Sequence, residues 1–327
     1  METAADLVVV RAEPLCAETR LERQRGLLTP APAFYARNNF PVPDSWPGLT
    51  VDGEVEEPLF LNAAALAALP RRRLVATLEC AGNGRRYMAQ PASGEQWGLG
   101  AVSTAEWEGF ELRHLLERVR VRDDAVEIVF EAADGYARSL PLERALHPDT
   151  LLVTRMNGEP LPREHGGPVR VVVPGWYGMA AVKWVRRVAA VKEPFQGHYQ
   201  VERYVVEGRP VREVKVRAVI AEPVTGAVLA ADTRSAIRGY AWAGSGLVVS
   251  VEVSTDGGAS WVPARLLGEE LPYAWREWSV DWTPAAGAHR LLAVASTDRG
   301  ERQPLEPGWN ELGYENNAAV AVPVSAS

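Results

Sequence analysis

Patterns of apolar and polar positions predict short strands along the first half of the chain. Residues 74–78, 126–130 and 151–154 are rich in β-branched or alternating apolar residues, as expected of partly buried strands. A β-branched run at 169–173 lies between glycine-rich turns and predicts a fully buried strand. Residues 1–30 carry no clear period and are predicted to form an arm on the surface.

Helical spacing is confined to short segments. Between Leu112 and Val119 the apolar residues fall on one face of a helix. A second helix is predicted over 63–69, with Asn62 as its N-cap and Pro70 as its stop. Few helices among many short strands predict an α+β fold that is mostly β.

The pattern changes character at about residue 210. Alternating runs at 214–220, 248–253 and 291–295 are separated by turn signals, including a predicted turn over 239–246. Short strands at regular intervals predict an immunoglobulin-like β-sandwich. We therefore predict two domains, a catalytic domain over 1–208 and a sandwich over 209–327.

Composition narrows the class of protein. The 327 residues are 47% hydrophobic and carry a net charge of −7, which argues against nucleic acid as a partner. No run of apolar residues is long enough to cross a membrane. Two cysteines make no disulfide scaffold, and the first residues lack the features of a signal peptide. A cytoplasmic location is therefore expected.

The stretch with the clearest chemistry begins at Cys80. This cysteine follows the predicted strand 74–78 and precedes an Ala-Gly-Asn-Gly turn, after which come Arg85 and Arg86. A thiol facing guanidinium groups would have its thiolate form favoured, and a thiolate is a soft ligand for a transition metal. The alternative is a buried structural cysteine. The polar turn and the arginines favour an anion site instead.

Several motifs resemble those of the sulfite oxidase family of molybdopterin enzymes. They are the sequence from Cys80 to Arg86, the Trp-Gly-Leu-Gly-Ala-Val-Ser-Thr-Ala-Glu-Trp run at 97–107, and the block at 164–184. The GYAWxGxG and VSxDGGxxW patterns of the second half match the family's dimerisation domain. The resemblance implies that Cys80 is the protein's one ligand to molybdenum, with the other sulfur ligands coming from the pterin dithiolene.

The resemblance also implies a set of residues that hold the molybdopterin. Asn39 stands where the family usually has histidine, and Asp134 follows the strand that matches the family's cofactor strand. The implied cofactor residues are Tyr35, Ala36, Arg37, Asn38, Asn39, Cys80, Asp134, His165, Arg170, Ala181, Val182 and Lys183.

A second implied set would bind the substrate. Arg37 and either Arg85 or Arg86 would hold an oxyanion by charge-assisted hydrogen bonds. Trp97 would form a wall, and Tyr204 would donate a hydrogen bond at the reaction centre, although the register could instead select Tyr199. The catalytic residues are thus expected to be Arg37, Cys80, Arg85, Trp97 and Tyr204.

One position departs from the family pattern. Sulfite-oxidising members carry an arginine just after the turn that ends at Gly246, where this chain has Leu247. Nitrate reductases of the same fold also lack that arginine. On this interpretation Leu247 lies in the substrate pocket and weakens the binding of a doubly charged anion. The alternative is that Leu247 is a core residue of the sandwich and that the alignment is off by a position or two.

The function implied is an oxo transfer to or from a small oxyanion, with oxidation of sulfite to sulfate as the leading reaction. The chain has five histidines and no CxxCH, so no haem is expected, and electrons would pass to a separate carrier such as a c-type cytochrome. A homodimer through the sandwich is expected. The alternatives are a nitrate or sulfoxide reductase of the same fold, a hydrolase in which His165 activates Cys80, and a non-enzymatic adhesion-type protein.

Overall fold

Strands dominate the computed structural model, which describes residues 7–327. The first residues of the predicted catalytic domain and N-terminal arm, 1–6, lie outside the described range. No helix in the described part of the chain is long and apolar enough to cross a membrane.

The first half contains three sheets of three to five strands and one small ribbon. The three-stranded sheet is ordered Leu7–Arg11, Cys16–Thr19 and Ala36–Arg37. In the sheet whose last strand leads to Cys80, the order is Glu159–Pro160, Leu151–Met156, Val102–Glu111 and Arg72–Glu79, with Arg170–Val172 pairing to Leu151–Met156. The other five-stranded sheet is ordered Leu59–Leu61, Leu49–Gly53, Val185–Val191, Glu127–Ala132 and Ala137–Pro141. The ribbon pairs Val205–Val206 with Arg209–Pro210.

Helices are short and lie between the strands. The α-helices are Ala63–Ala67, Leu112–Val119, Leu142–Ala145 and His198–Val201, and the 3-10 helices are Ala31–Ala33, Arg85–Tyr87, Arg163–His165 and Gly178–Ala180. The predicted cap is present, because the amide of Ala65 donates to Asn62 Oδ1 at 2.9 Å. That helix ends at Ala67 rather than at Leu69.

The second half is a two-layer sandwich, as predicted. One sheet is ordered Arg217–Glu222, Ser235–Trp242, Arg276–Trp282 and Arg265–Leu267. The other is ordered Val228–Leu229, Val322–Ala326, Gly287–Thr297, Val248–Ser254 and Val262–Pro263. The inner faces of both sheets share one apolar core, which includes Ile237, Trp278, Val251, Leu291 and Val324.

Two local predictions were wrong. The segment 239–246 is not all turn, because residues up to Trp242 continue the strand Ser235–Trp242. A Cβ on Gly239 would collide with the carbonyl oxygen of Val219 and the Trp278 ring, so this glycine permits close packing rather than a turn. The N-terminal segment is not an unpatterned arm on the surface, since Leu7–Arg11 and Cys16–Thr19 pair in a sheet and the second of these strands is buried.

A buried ion pair joins the two halves directly beside Cys80. Arg217 Nη1 lies 3.0 Å from Glu79 Oε1, and both side chains are 2% exposed. The indole Nε1 of Trp242 donates to Glu79 Oε2 at 2.8 Å, and Asn83 Nδ2 donates to Glu79 Oε1 at 2.9 Å. Two residues of the sandwich therefore hold the end of the strand that leads to Cys80.

Breaking this pair should destabilise the protein strongly. Arg217→Met would leave the Glu79 carboxylate buried without its counter-charge, so we expect the free energy of unfolding to fall by about 3–5 kcal/mol. Urea denaturation measures the change. Arg209→Met is the matched control, because Arg209 pairs with Glu207 at an exposed site and should leave stability close to that of the wild type. A similar small effect from both variants would contradict the structural role of the buried pair.

Candidate active site

Cys80 directly follows Arg72–Glu79, the edge strand of its sheet, at a point where the backbone turns sharply. Its amide donates to Ala101 O at 2.9 Å, and its carbonyl accepts from the amide of Asn83 at 2.8 Å. Gly84 completes the turn with a φ of +81°, a left-handed conformation that favours glycine. Cys80 is 7% exposed and lines two neighbouring cavities.

We call these the cofactor cavity and the substrate cavity, after the roles that the sequence implied for their walls. The cofactor cavity contains all of the residues implied to hold the molybdopterin, namely Tyr35, Ala36, Arg37, Asn38, Asn39, Cys80, Asp134, His165, Arg170, Ala181, Val182 and Lys183. Sequence reasoning missed Tyr136, Gly178 and Met179, which also line it. Tyr136 follows the predicted turn at Asp134, whose carboxylate accepts from its amide at 2.9 Å.

The substrate cavity has a volume of about 240 Å³ and contains all of the implied catalytic residues: Arg37, Cys80, Arg85, Trp97 and Tyr204. Sequence reasoning missed Glu95, His198, Arg203 and Tyr314, which also line this cavity. Tyr314 had no local signal, because it reaches the cavity from the far end of the chain. One water occupies ~30 Å³ in the liquid, so the cavity has room for a small oxyanion and several waters.

The structure distinguishes the paired candidates. Arg85 is buried and lines the substrate cavity, whereas Arg86 is exposed and donates to the carbonyl of Gln96. Tyr204 lines both cavities, whereas Tyr199 lines only the substrate cavity. Tyr204 also has a φ of +56°, an uncommon conformation for a non-glycine residue that is often found at functional sites.

Arg85 also holds separate segments of the chain together. Its guanidinium donates to the carbonyl oxygens of Gly313, Glu95 and Leu312 at 2.7–3.1 Å, and it stacks over the Tyr314 ring at 5.3 Å. A guanidinium has five N–H groups, so part of its donor capacity remains for a ligand. Arg85 thereby links the loop after Cys80 to the last segment of the chain.

Two positive side chains of the cofactor cavity, Arg170 and Lys183, form no salt bridge with an acidic residue among residues 7–327. Arg170 is buried and donates to the carbonyl oxygens of His165 and Ala181, but its Nε has no hydrogen-bond partner. Burial lowers the pKa of Arg170 to about 10. Burial, followed by repulsion from Arg170, lowers the pKa of Lys183 to about 7. The Lys183 ammonium donates to Asn38 Oδ1 and to Glu164 O.

The expectation of a favoured Cys80 thiolate was wrong for the protein alone. Burial raises the pKa of the Cys80 thiol. The positive charges of Arg37 and, to a smaller extent, Arg85 act in the opposite direction but do not offset the effect of burial. The turn buries the sulfur more deeply than the polar sequence indicated. The guanidinium that acts on it most strongly comes from the segment at 37 and not from the arginines that follow it in the sequence.

Leu247 does not lie in either cavity that Cys80 lines. The loop before it is anchored elsewhere, because the amide of Gly244 donates to Val214 O at 2.9 Å. The amide of Leu247 donates to Asp298 Oδ1 at 2.8 Å, and its side chain lines a separate cleft near Trp176. The interpretation of Leu247 as a pocket residue was therefore wrong.

The arrangement does not favour a Cys80 nucleophile activated by His165. Both residues line the cofactor cavity, but the imidazole Nε2 is 2.9 Å from the carbonyl oxygen of Ala31. Burial lowers the pKa of His165 to about 4, and within residues 7–327 no carboxylate pairs with it. A base that is already tied to a carbonyl and lacks an orienting acid is poorly suited to activate a thiol.

Family models match most of the chain. Residues 38–199 match the oxidoreductase molybdopterin binding domain, and residues 209–327 match the Mo-co oxidoreductase dimerisation domain. The two matches meet close to the boundary at which the sequence pattern changes.

Individual relatives point the same way. The chain is 36% identical to the mitochondrial sulfite oxidase of Mus musculus, over 90% of this chain and 60% of that protein. It is 36% identical to the sulfite oxidase of Gallus gallus, over 94% of this chain and 74% of the other. It is 32% identical to the NADH nitrate reductase of Lotus japonicus, over 93% of this chain and 40% of the other. The chain thus spans about 60% of the length of the mouse protein.

A solved structure shares the whole fold. The sulfane dehydrogenase SoxCD of Paracoccus pantotrophus superposes with a TM-score of 0.83 at 29% identity, over 94% of this chain and 83% of that chain. Both halves of the molecule, and not the first alone, are therefore built as in that enzyme. With its molybdopterin-binding and dimerisation domains in this order, the chain belongs to the sulfite oxidase family of molybdopterin oxidoreductases.

Proposed function

We propose that this protein oxidises sulfite to sulfate with a molybdopterin cofactor and passes the electrons to a separate carrier. The observation that carries the proposal is the pair of cavities that meet at Cys80, Arg37 and Tyr204. One cavity offers Arg170 and Lys183, which form no salt bridge in the described part of the chain, to an anionic cofactor. The other offers the guanidinium groups of Arg37 and Arg85 to an oxyanion. The names of the mouse and chicken relatives favour sulfite as that oxyanion.

The residues of the cofactor cavity fit an anionic pterin with a phosphate. Arg170 Nε and Arg37 Nη1 are buried without partners, and a bound anion would supply them. In the described part of the chain no cluster of histidine, cysteine and acidic residues could hold a metal by itself, so Cys80 would act as a single soft ligand. His165, Arg170 and Lys183 would grip the pterin and phosphate, and Asp134 would accept from the pterin's N–H groups.

When bound, the cofactor supplies a two-electron oxo transfer. One sulfite and one water give one sulfate, two protons and two electrons, and the electrons leave to the carrier, for which a c-type cytochrome is a candidate. We propose that no haem resides in this chain and that the protein works in the cytoplasm. The protein's own task is to bind and orient sulfite beside Cys80.

Arg37 and Arg85 would hold the oxygens of sulfite by charge-assisted hydrogen bonds. Tyr204 borders both cavities, so its hydroxyl can donate to an oxygen of the anion where the cavities meet. Trp97, which is fully buried, would form a rigid wall and keep out water.

Reduction of nitrate is the second candidate. It is supported by the 32% identity to the Lotus japonicus nitrate reductase. Assays of both anions on the same preparation separate the candidates, because sulfite donates electrons to an acceptor dye whereas nitrate consumes them from a reduced dye.

Replacing Cys80 tests the proposal. In protein purified from a host supplied with molybdate, we expect close to one molybdenum per chain and sulfite-dependent reduction of an acceptor dye. Cys80→Ser should remain folded but lose turnover, because the hydroxyl is a harder and weaker ligand than a thiolate. Cys16→Ser is the matched control, since Cys16 is also buried but lines neither cavity. Full sulfite oxidation by Cys80→Ser would refute the assignment.

Lys183 gives a test that needs no turnover. Its pKa is lowered to about 7 in the folded protein, whereas the unfolded chain binds the proton up to about pH 10.4. Folding is therefore penalised below pH 7, and the penalty fades as the pH rises from about 7 to about 10.4. Lys183→Met should raise the melting temperature of the cofactor-free protein at pH 6.5 by more than at pH 9.5, while it lowers molybdenum loading. An equal gain at both pH values would contradict this electrostatic account.

We propose that the protein is a homodimer with two-fold symmetry, built through residues 209–327. The match to a dimerisation domain supports this, and so do exposed apolar side chains on the second half, among them Val228, Val249 and Trp309. Light scattering at micromolar concentration should give twice the chain mass of 35.7 kDa. A mass of one chain under those conditions would argue against the dimer.

A further inference from the structure

Glu95 places a carboxylate in the wall of a cavity that should bind anions. Its side chain is 14% exposed, and Oε1 lies 2.6 Å from Arg11 Nη1. Its other oxygen, Oε2, lies 3.6 Å from Arg37 Nη2. Burial alone would raise the pKa of this carboxyl, but Arg37 and then Arg11 lower it overall, so the group is ionised at neutral pH.

Arg37 contributes its guanidinium group to the walls of both cavities. Of the arginines and lysines that line either cavity, Arg37 alone lines both. Its Nη1 is buried without a hydrogen-bond partner, while Nη2 faces Glu95. One terminal nitrogen of the guanidinium thus has no hydrogen-bond partner in the protein, and the other faces the negative charge of Glu95.

We propose that Glu95 sets the charge of the anion that the substrate cavity accepts, by pairing with Arg37 and repelling doubly charged ligands more than singly charged ones. The inference rests on the proposed function for the class of ligand, an oxyanion bound at Arg37. Its consequence for turnover is that a singly charged hydrogensulfite enters more readily than a dianion, and that doubly charged sulfate leaves readily.

The physical basis is the charge dependence of Coulomb's law. The energy of a ligand in the field of one carboxylate is proportional to the ligand's charge. Removing that carboxylate should therefore change the binding free energy of a dianion twice as much as that of a monoanion. The affinity depends exponentially on the binding free energy. If removing the carboxylate raises the affinity for a monoanion by some factor, it should raise the affinity for a dianion by the square of that factor.

Glu95→Gln tests this because it removes the charge and keeps the shape of the side chain. Isothermal titration calorimetry on the cofactor-loaded protein, without an electron donor, would measure sulfate and nitrate binding. We expect the affinity for sulfate to rise about tenfold and that for nitrate about threefold. Since each anion is compared with itself, differences in anion shape cancel.

Two further variants separate charge from structure. Glu95→Asp retains the negative charge and should leave the ratio of sulfate to nitrate affinity near that of the wild type. Glu193→Gln makes the same change in net charge at an exposed site, outside both cavities, and should leave both affinities unchanged. If Glu95→Gln proves unstable, Glu95→Ser removes the same charge and must show the same relation between the two anions.

The inference is overturned if Glu95→Gln leaves both affinities unchanged, weakens them, or changes them by equal factors. Equal factors would mean that Glu95 only positions Arg37 and does not select by charge. Failure of the proposed function is recognised separately, by the absence of sulfite oxidation in the loaded wild-type protein. Sulfite oxidation can persist while the calorimetry rejects the role of Glu95.

Discussion

The buried ion pair between Glu79 and Arg217 is the constraint on which the position of Cys80 depends. Burying two charges is expensive unless the ion pair and further hydrogen bonds offset the lost hydration. Here Glu79 also accepts from Trp242 and Asn83, and Arg217 also donates to the carbonyl of Asn83 at 3.3 Å. Because Glu79 precedes Cys80 and Asn83 follows it, the pair holds both sides of the turn that presents the sulfur. The sandwich is therefore part of the active site's support, although none of its strands lines either cavity.

Buried arginines in this protein fall into two groups with different consequences. Arg85, Arg138 and Arg217 direct their N–H groups at carbonyl or carboxylate oxygens and hold distant segments together. Arg138 and Arg217 each leave Nε without a hydrogen-bond partner, as Arg170 does, and Arg37 leaves Nη1 without one. What sets Arg37 and Arg170 apart is that they line the cofactor cavity. A chain of net charge −7 thus presents a local positive site, which is what binding an anion requires.

Much of the site could be predicted because its residues lie in compact motifs. The segments at 35–43, 80–85 and 165–183 each contain glycine or proline residues that favour turns or an extended path, so local sequence determines much of their shape and chemistry. The family resemblance then brought them together. Their convergence on Cys80 was not visible in the spacing, since it depends on the pairing of separate sheets.

The errors and omissions arose where long-range packing decides the outcome. Gly239 indicated a turn, but sheet pairing keeps it within the strand Ser235–Trp242. The loop that follows is held by the hydrogen bond from Leu247 N to Asp298 Oδ1, so Leu247 lies outside the pocket. Glu95 was missed because it acquires its role only from Arg11 and Arg37, which are distant in sequence. The depth at which Cys80 is buried, and with it the direction of its pKa, depends on the same tertiary packing.

The central claim is that Cys80 Sγ is this chain's ligand to molybdenum. X-ray absorption spectroscopy at the molybdenum K edge tests it most directly, because it counts the sulfur neighbours of the metal. The account predicts one sulfur neighbour fewer in Cys80→Ser than in the wild-type protein, with Cys16→Ser indistinguishable from wild type. An unchanged sulfur count in molybdenum-loaded Cys80→Ser would contradict the account.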